Sequence, residues 1–105
     1  MSYSRERISR QQRIILETVH ECQHKLGKRV EYEELRDAVR MGLGLQRVTK
    51  QFVSSFTRSM RNLMGKGWMC AYLHQPQRGK GHYIWMYDIQ ITFYGIRALK
   101  NRAVR

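Results

Sequence analysis

Residues 47–68 (RVTKQFVSSFTRSMRNLMGKGW) limit the possible fold of this chain more than any other stretch. Apolar side chains recur there at steps of four and three, namely Val48, Phe52, Phe56, Met60 and Leu63, with Val53 and Met64 beside them. A helix of about 3.6 residues per turn places such residues on one side. We therefore expect a helix over about residues 46–64 that buries this side. Gly65 and Gly67 predict its end, because glycine adopts the left-handed C-cap conformation at little steric cost.

The other side of this helix carries only cationic and hydrogen-bonding residues, which are Arg47, Lys50, Gln51, Ser54, Arg58 and Arg61. The simpler interpretation is a solvated amphipathic helix. Solvated helices, however, usually mix charges of both signs, because acidic and basic residues three or four apart support the helix. The missing acids instead indicate a helix that faces a polyanion such as DNA.

Two short segments rich in aromatic and apolar residues follow, residues 68–74 (WMCAYLH) and 82–91 (HYIWMYDIQI). Between them, residues 75–81 (QPQRGKG) contain a proline, two glycines and the cations Arg78 and Lys80. This succession predicts a β-hairpin whose loop is too long for a two-residue turn.

Two motifs give the chain a resemblance to winged helix-turn-helix proteins. Residues 63–68 (LMGKGW) resemble the end of the recognition helix in these proteins, where a leucine, a short polar stretch and a glycine lead into the first wing strand. Residues 91–95 (ITFYG), with Leu99 four residues on, are similar to the Leu-Thr-x-x-Gly-x-x-x-Leu segment that opens the closing helix of many such regulators. The resemblance covers about residues 9–99. It implies binding of double-stranded DNA, a wing at residues 75–82, and a terminal helix that is a candidate homodimer interface.

The N-terminal part of the chain predicts a flexible basic arm at residues 1–8, followed by a helix. Ser9 and Gln12 have the spacing of a capping box at the start of this helix. Gly27 predicts its end, near residue 26. The apolar stripe that we expect to be buried comprises Ile8, Ile15, Val19, Cys22 and Leu26, with Leu16 at the edge.

Three further elements are predicted between residues 28 and 45. Residues 28–31 predict a short extended piece with Val30 buried, and residues 32–40 (YEELRDAVR) predict a helix that starts with acidic residues. Its expected core side chains are Leu35, Ala38 and Val39. The glycines of residues 41–45 (MGLGL) then predict the turn that a helix-turn-helix requires.

Thr92 can cap a closing helix over about residues 93–102. The side chains that we expect this helix to bury are Phe93, Ile96, Leu99 and Ala103. The chain thus predicts an α+β fold in the order α-(short β)-α-α-β-β-α, with residues 9–105 forming a single winged-helix domain.

His20, Glu21 and His24 match the His-Glu-x-x-His motif of zinc metalloproteases. In that motif two imidazoles one turn apart bind Zn²⁺, and the glutamate polarises a water molecule. The third ligand of the extended motif would fall at Val30, which cannot bind a metal. Both histidines also fall on the polar side of the predicted helix, where we expect them to be exposed. We therefore predict no metal site here and interpret the match as a chance surface pair.

The composition indicates one intracellular domain that binds a polyanion. The 105 residues carry 20 Lys and Arg against 8 Asp and Glu, a net charge of +12. A basic domain of this size most often meets nucleic acid. No segment has the length of a membrane span or the features of a signal peptide, so we expect a cytoplasmic or nucleoid-associated protein. Cys22 and Cys70 have no metal-ligand spacing, and we expect reduced thiols.

We expect a protein that binds double-stranded DNA as a regulator of transcription or of a mobile element, without a cofactor and without enzymatic activity. The candidates for reading bases are Lys50, Gln51, Ser54 and Arg58. Arginine suits the acceptor pair of guanine, and glutamine suits adenine. The candidates for contacts to the DNA backbone are Arg47, Arg61, Lys66, Arg78 and Lys80.

The alternative is an RNA-binding protein, or a structural protein of a nucleoprotein particle, with the same fold. Exposed aromatic side chains could stack on unpaired bases, and the candidates are Tyr72, Tyr83, Trp85 and Tyr87. The favoured interpretation of these four residues is that they pack the hairpin onto the helices, since aromatic residues are common in strands. Affinities for duplex DNA, single strands and structured RNA, measured at one salt concentration, separate the two functions.

Overall fold

Four α-helices and one two-stranded antiparallel sheet make up the described part of the protein, a computed structural model covering residues 8–74 and 85–103. In chain order the elements are α1 (Arg10–His24), α2 (Tyr32–Gly42), α3 (Lys50–Gly65), β1 (Met69–His74), β2 (Trp85–Ile91) and α4 (Phe93–Ala103). The predicted α+β class is confirmed. Residues 1–7 of the predicted arm and the predicted wing at residues 75–82 lie outside the described residues. Within the described ranges, no helix combines the length and the apolar character needed to span a bilayer.

Helix α1 begins at the predicted capping box but ends earlier than predicted. The Ser9 hydroxyl accepts a hydrogen bond from Gln12 N at 3.1 Å, and Gln12 Oε1 accepts one from Ser9 N at 3.2 Å. The helix stops at His24, and Gly27 adopts a φ of 63° just beyond it. Leu26 therefore lies past the helix and is exposed. The prediction that Leu26 is buried is wrong.

A side-chain cap sets the start of α3. Thr49 Oγ1 accepts a hydrogen bond from Phe52 N at 3.0 Å, and the helix begins at Lys50 instead of near residue 46. This bond satisfies one of the backbone N–H groups that the first helical turn leaves without a partner. Val48 precedes the cap and is exposed, so its predicted place in the core is wrong.

The apolar sides of α1, α2 and α3 meet the inner side of the sheet in one core. The remaining predicted core residues of α3 are confirmed as buried, namely Phe52, Phe56, Met60 and Leu63. They pack with Ile15, Leu16, Val19, Val30, Tyr32, Leu35, Val39, Met69, Met86, Ile89 and Ile91. The Phe56 ring meets Tyr32 edge-on at 5.6 Å between ring centroids and lies 5.9 Å from Phe52. Cys22 is a free thiol, half-buried against this core as predicted.

A β-bulge decides which side chains of β2 face the core. The pairing shifts between Cys70 and Tyr72, so one residue of β1 lies opposite two residues of β2, Asp88 and Ile89. Asp88 adopts a φ of 54°, a conformation that aspartate tolerates better than most residues. The buried residues of β2 consequently do not follow strict alternation, and they are Met86, Ile89 and Ile91.

The segment between α1 and α2 holds this bulge in place. Val30 is buried and forms an isolated antiparallel bridge with Ile89, which confirms the predicted extended piece. One residue earlier, Arg29 Nη1 lies 2.6 Å from Asp88 Oδ1. The ion pair therefore ties the bulged residue to the segment that pairs beside it.

Thr92 and Gly95 join α4 to the junction between α3 and β1. Thr92 Oγ1 accepts a hydrogen bond from Gly95 N at 3.1 Å, which confirms the predicted cap, and it donates one to Gly67 O at 2.6 Å. Gly95 is buried against the Trp68 carbonyl. Because residues two apart point in nearly opposite directions on a helix, Phe93 faces outward and is 66% exposed. The prediction that Phe93 is buried is wrong, while Ile96 and Leu99 pack against the core.

The outer side of the hairpin carries exposed aromatic rings. Tyr72 and Tyr87 are both exposed. The bulge turns Met86 and Ile89 toward the core and leaves Tyr87 on the opposite side. The interpretation that these tyrosines pack the hairpin onto the helices is therefore wrong for both. Tyr83 and the Trp85 side chain lie outside the described residues.

Candidate nucleic-acid interface

One exposed side of α3 brings together the helical residues that the sequence assigned to DNA. Its exposed polar side chains are Lys50, Gln51, Ser54, Arg58, Arg61 and Asn62. They lie opposite the side that contains Phe52 and Phe56, which is locked into the core. The predicted exposure is confirmed for Lys50, Gln51, Ser54, Arg58 and Arg61, and Asn62 adds to the predicted set. The helix is long enough, at 16 residues, to present a continuous polar stripe.

The positive charge of this side is not compensated by neighbouring acids. Residues 47–68 contain five Lys or Arg and no Asp or Glu. Ion pairs in the described residues join Arg13 to Glu17, Lys28 to Glu34, Arg29 to Asp88 and Arg36 to Asp37. None of these four pairs in the described part of the chain involves α3. The cationic groups of Lys50, Arg58 and Arg61 are therefore open to an anionic ligand.

A small polar cluster fixes how α3 is rotated against α1. The Ser55 hydroxyl donates to Gln11 Oε1 at 3.1 Å, and the Ser59 hydroxyl donates to the same oxygen. Ser59 is buried, and a buried hydroxyl is costly to leave without a hydrogen bond. The cluster thus favours one rotation of α3, and with it one orientation of the exposed side. The sequence reasoning missed these residues, although two serines one turn apart at the edge of an apolar stripe were a usable signal.

Arg47 and Lys66 lie at the two ends of the exposed side. Arg47 is exposed in the segment before α3, outside the helix in which the sequence placed it. Lys66 follows α3, and its Nζ lies 4.7 Å from the centroid of the Trp68 ring. This cation–π contact keeps the ammonium group near the C-terminal end of α3. Arg78 and Lys80 lie outside the described residues, so their backbone contacts stay a prediction.

The connection between α2 and α3 is longer than the tight turn of a compact helix-turn-helix. It comprises residues 43–49, whereas such turns typically have about 3–4 residues. Gly44 adopts a φ of 78°, and the Arg40 guanidinium donates to Leu45 O at 2.9 Å across this segment. The orientation of α3 therefore depends on its packing in the core and on Gln11 more than on this connection.

The two histidines of the His-Glu-x-x-His match do lie next to each other on α1. Their ring centroids are 4.8 Å apart. His24 is exposed, but His20 is half-buried, which corrects the prediction that both are exposed. Burial lowers the pKa of His20, and the nearby cationic groups of His24, Lys100 and Lys25 lower it further. No group of three or more potential metal ligands occurs within the described residues.

Replacing His20 and His24 with alanine is expected to change stability at pH 7.5 by no more than about 1 kcal/mol, because His24 is exposed and His20 is only half-buried. DNA affinity should not change. Because folding lowers the pKa of His20, the wild type should lose stability as pH falls through 6.5, the ordinary histidine value, and the double variant should lose less. Urea unfolding at several pH values measures both effects. Stoichiometric zinc in wild-type protein purified without a metal column, absent from the double variant, would contradict this interpretation.

The exposed side of α3 can therefore donate several charge-assisted hydrogen bonds along one rigid element, with an amide available for base recognition. Such an arrangement fits a regular array of phosphates flanked by base edges. No protein-family model, no curated protein and no solved structure matches this chain.

Proposed function

We propose that this protein binds double-stranded DNA through α3 and acts as a regulator of transcription in the cytoplasm or nucleoid. In this proposal the fold is a winged helix-turn-helix, and α3 enters the major groove. The succession of three helices, two antiparallel strands and a closing helix supports the assignment. The B-DNA major groove is about 12 Å wide and admits an α-helix.

The observation that carries this proposal is the side of α3 that faces solvent. It contains cations and hydrogen-bonding groups without an acid, on a helix whose other side is buried. An ordinary surface helix gains support from pairs of opposite charge, and α3 takes part in none within the described residues. Binding to phosphate supplies the missing counter-charge.

The residues of this surface divide into two roles. Gln51 and Arg58 project from a helix whose rotation is fixed, so they can hold the angle that a base edge requires. Lys50 and Ser54 lie on the same stripe and are further candidates for base contacts. Arg47 lies in the irregular segment before α3, which suits phosphate contacts because phosphates tolerate a wider range of angles.

Selection of bound sequences from a random pool of DNA duplexes tests the function directly. Enrichment of a defined sequence supports a specific regulator, and enrichment of an inverted repeat supports a homodimer, for which α4 is the candidate interface. If no sequence is enriched, and the duplexes bind no more tightly than structured RNA, an architectural or RNA-binding role is favoured instead.

Base reading and backbone binding should separate by mutation. Replacing Arg58 or Gln51 with alanine is expected to cost about 1–3 kcal/mol on the selected duplex and much less on a scrambled one. Replacing Arg47 should weaken both duplexes alike and lower the slope of log affinity against log salt by about 0.9. Titrations of both duplexes at several salt concentrations measure these effects.

Arg13→Ala is the matched control for these variants. Arg13 is an exposed arginine of α1 that pairs with Glu17, so its removal lowers the net charge equally without touching α3. We expect it to change affinity for either duplex less than Arg47→Ala does. An equal loss on both duplexes for Arg58→Ala and Gln51→Ala would show that α3 does not read bases.

A further inference from the structure

The outer side of the hairpin presents a stacked pair of tyrosines to solvent. Tyr72 and Tyr87 are cross-strand partners, and their ring centroids lie 5.4 Å apart with 25° between the ring planes. Tyr72 is 62% exposed and Tyr87 is 47% exposed. Cys70 and Gln90, the next pair along the strands, are also exposed and carry no charge. Flat π surfaces are therefore accessible on this outer side of the hairpin.

A cavity adjoins this pair at the β-bulge. Its volume is about 210 Å³, and Arg29, Glu31, Met86, Tyr87 and Asp88 contribute to its lining. Tyr87 thus belongs to both the aromatic pair and the cavity wall. The bridge between Val30 and Ile89 ends the pairing of residues 28–31 with β2, because the chain enters α2 at Tyr32.

The cavity combines the groups that recognise a nucleotide. Arg29 uses one nitrogen for Asp88, at 2.6 Å, while its side chain stays 78% exposed. A guanidinium has five N–H donors, so donors remain for a phosphate oxygen. The Asp88 carboxylate can accept a hydrogen bond from an N–H group of a base, such as the exocyclic amine of cytosine or the ring N3–H of thymine and uracil. Tyr87, whose ring is stacked on Tyr72 and exposed, is a lining residue of the same cavity.

Stabilisation of the hairpin explains the tyrosine pair only in part. Cross-strand aromatic pairs contribute roughly 0.2–1 kcal/mol to a sheet, and this pair supplies such a contribution. That role does not account for the cavity, or for the exposed arginine in its wall.

We propose that Tyr72, Tyr87 and Arg29 form a second binding site, for an unpaired nucleotide of single-stranded nucleic acid. A base stacks on the tyrosine pair, and its phosphate pairs with Arg29. The net charge of +12 favours a polyanion as the occupant, and within the cavity lining Arg29 is the cation beside the carboxylates of Glu31 and Asp88. The site is separate from α3 and does not depend on the role of α3 in binding duplex DNA.

Fluorescence anisotropy with labelled oligo(dT), oligo(U) and a blunt-ended duplex tests the proposal. Replacing both tyrosines with leucine, which keeps apolar strand residues but removes the rings, should weaken binding of the single strands about tenfold or more. Affinity for the duplex should stay within about twofold of the wild-type value. Such a change is much smaller than the loss of affinity expected when one stacked base is lost. The two single strands distinguish DNA from RNA as the source of the unpaired nucleotide.

The matched control replaces both tyrosines with phenylalanine. This variant keeps the rings and should bind oligo(dT) about as tightly as the wild type, since stacking uses the π surface. Arg47→Ala, which should weaken binding of every duplex alike, should show the opposite selectivity, losing duplex affinity and keeping affinity for single strands. If α3 does not bind duplex DNA, only the duplex affinities differ from those expected, and the single-strand affinities still test the tyrosine site. The two proposals can therefore fail independently.

NMR spectra of the wild type make the test independent of how the variants fold. Addition of oligo(dT) should shift the ring proton signals of Tyr72 and Tyr87. Unshifted ring signals, or unchanged oligo(dT) affinity in a folded leucine variant, would overturn the proposal. So would light scattering that shows a wild-type dimer and a monomeric leucine variant, because a second copy would then cover the rings.

Discussion

Replacing Phe56 with alanine is expected to lower the free energy of unfolding by about 3–5 kcal/mol, as for other fully buried phenylalanines. Phe56 has no exposed surface, and its ring contacts both Tyr32 of α2 and Phe52 of α3. Truncation leaves a cavity between elements that cannot move together without breaking other contacts. Domains of this size have about 5–15 kcal/mol of stability, so the variant should melt far below the wild type. Urea unfolding followed by circular dichroism measures the loss.

Asn62→Ala is the control on the same helix. Asn62 is exposed, and alanine favours helices, so its replacement should stay within about 0.5 kcal/mol of the wild type. If Phe56→Ala unfolded at the same urea concentration as Asn62→Ala, α3 would be rotated differently. The proposed set of groove-facing residues would then be wrong as well.

Gly95→Ala should destabilise the protein by about 3 kcal/mol or more, at the upper end of the effects of overpacking. A Cβ atom at this position would overlap the carbonyl oxygen of Trp68 and would lie 2.7 Å from Ile91 Cγ1. The Trp68 carbonyl belongs to the backbone, so it cannot rotate away as a side chain can. Relief requires α4 to move off the junction between α3 and β1, and that movement would break the hydrogen bond from Thr92 to Gly67 O. Urea unfolding of the purified variant gives the magnitude.

Gly65→Ala makes the same chemical change where there is room for it. Gly65 is the last residue of α3, and no neighbouring atom lies within 4 Å of a Cβ built there. Alanine restricts the unfolded chain more than glycine does, so this control should be neutral or stabilise by about 0.4–1 kcal/mol. Equal effects of the two substitutions would show that α4 does not approach Trp68 closely.

The sequence predicted the side chains that α3 buries because a long helix repeats its apolar pattern over several turns. Phe52, Phe56, Met60 and Leu63 each occur at a helical spacing, so an error at one position does not change the inferred side. The same redundancy predicted which residues of α3 face solvent. Periodicity does not show where a helix starts, and the Thr49 hydroxyl placed Val48 outside the helix.

The errors share a cause, which is that single contacts set element ends and helix rotation. In α4, the close approach of Gly95 to Trp68 turns Phe93 to solvent, although Phe93 has apolar character. In β2, the left-handed conformation of Asp88 breaks the alternation on which strand prediction depends. The contact between Gly95 and Trp68 joins residues far apart in the chain, so a local pattern carries no record of it.

The candidate site could be predicted only where it coincides with a periodic element. The exposed stripe of α3 follows from its sequence, because polar positions are the complement of the apolar ones. Arg29, by contrast, belongs to a short segment without periodicity. Its position beside Asp88 and Tyr87 depends on the bridge between Val30 and Ile89, a pairing between distant parts of the chain.

Because the positive charge of α3 is uncompensated, added salt has opposite effects on folding and on DNA binding. In the free protein, Arg58 and Arg61 lie one turn apart and repel each other, which opposes the helix. Ions screen this repulsion, since the Debye length is about 10 Å at 0.1 M salt, so salt favours the folded state. On DNA the same cations displace counterions, and salt favours dissociation. Dilute buffer without nucleic acid is therefore the condition in which the repulsion within α3 acts most strongly against the fold.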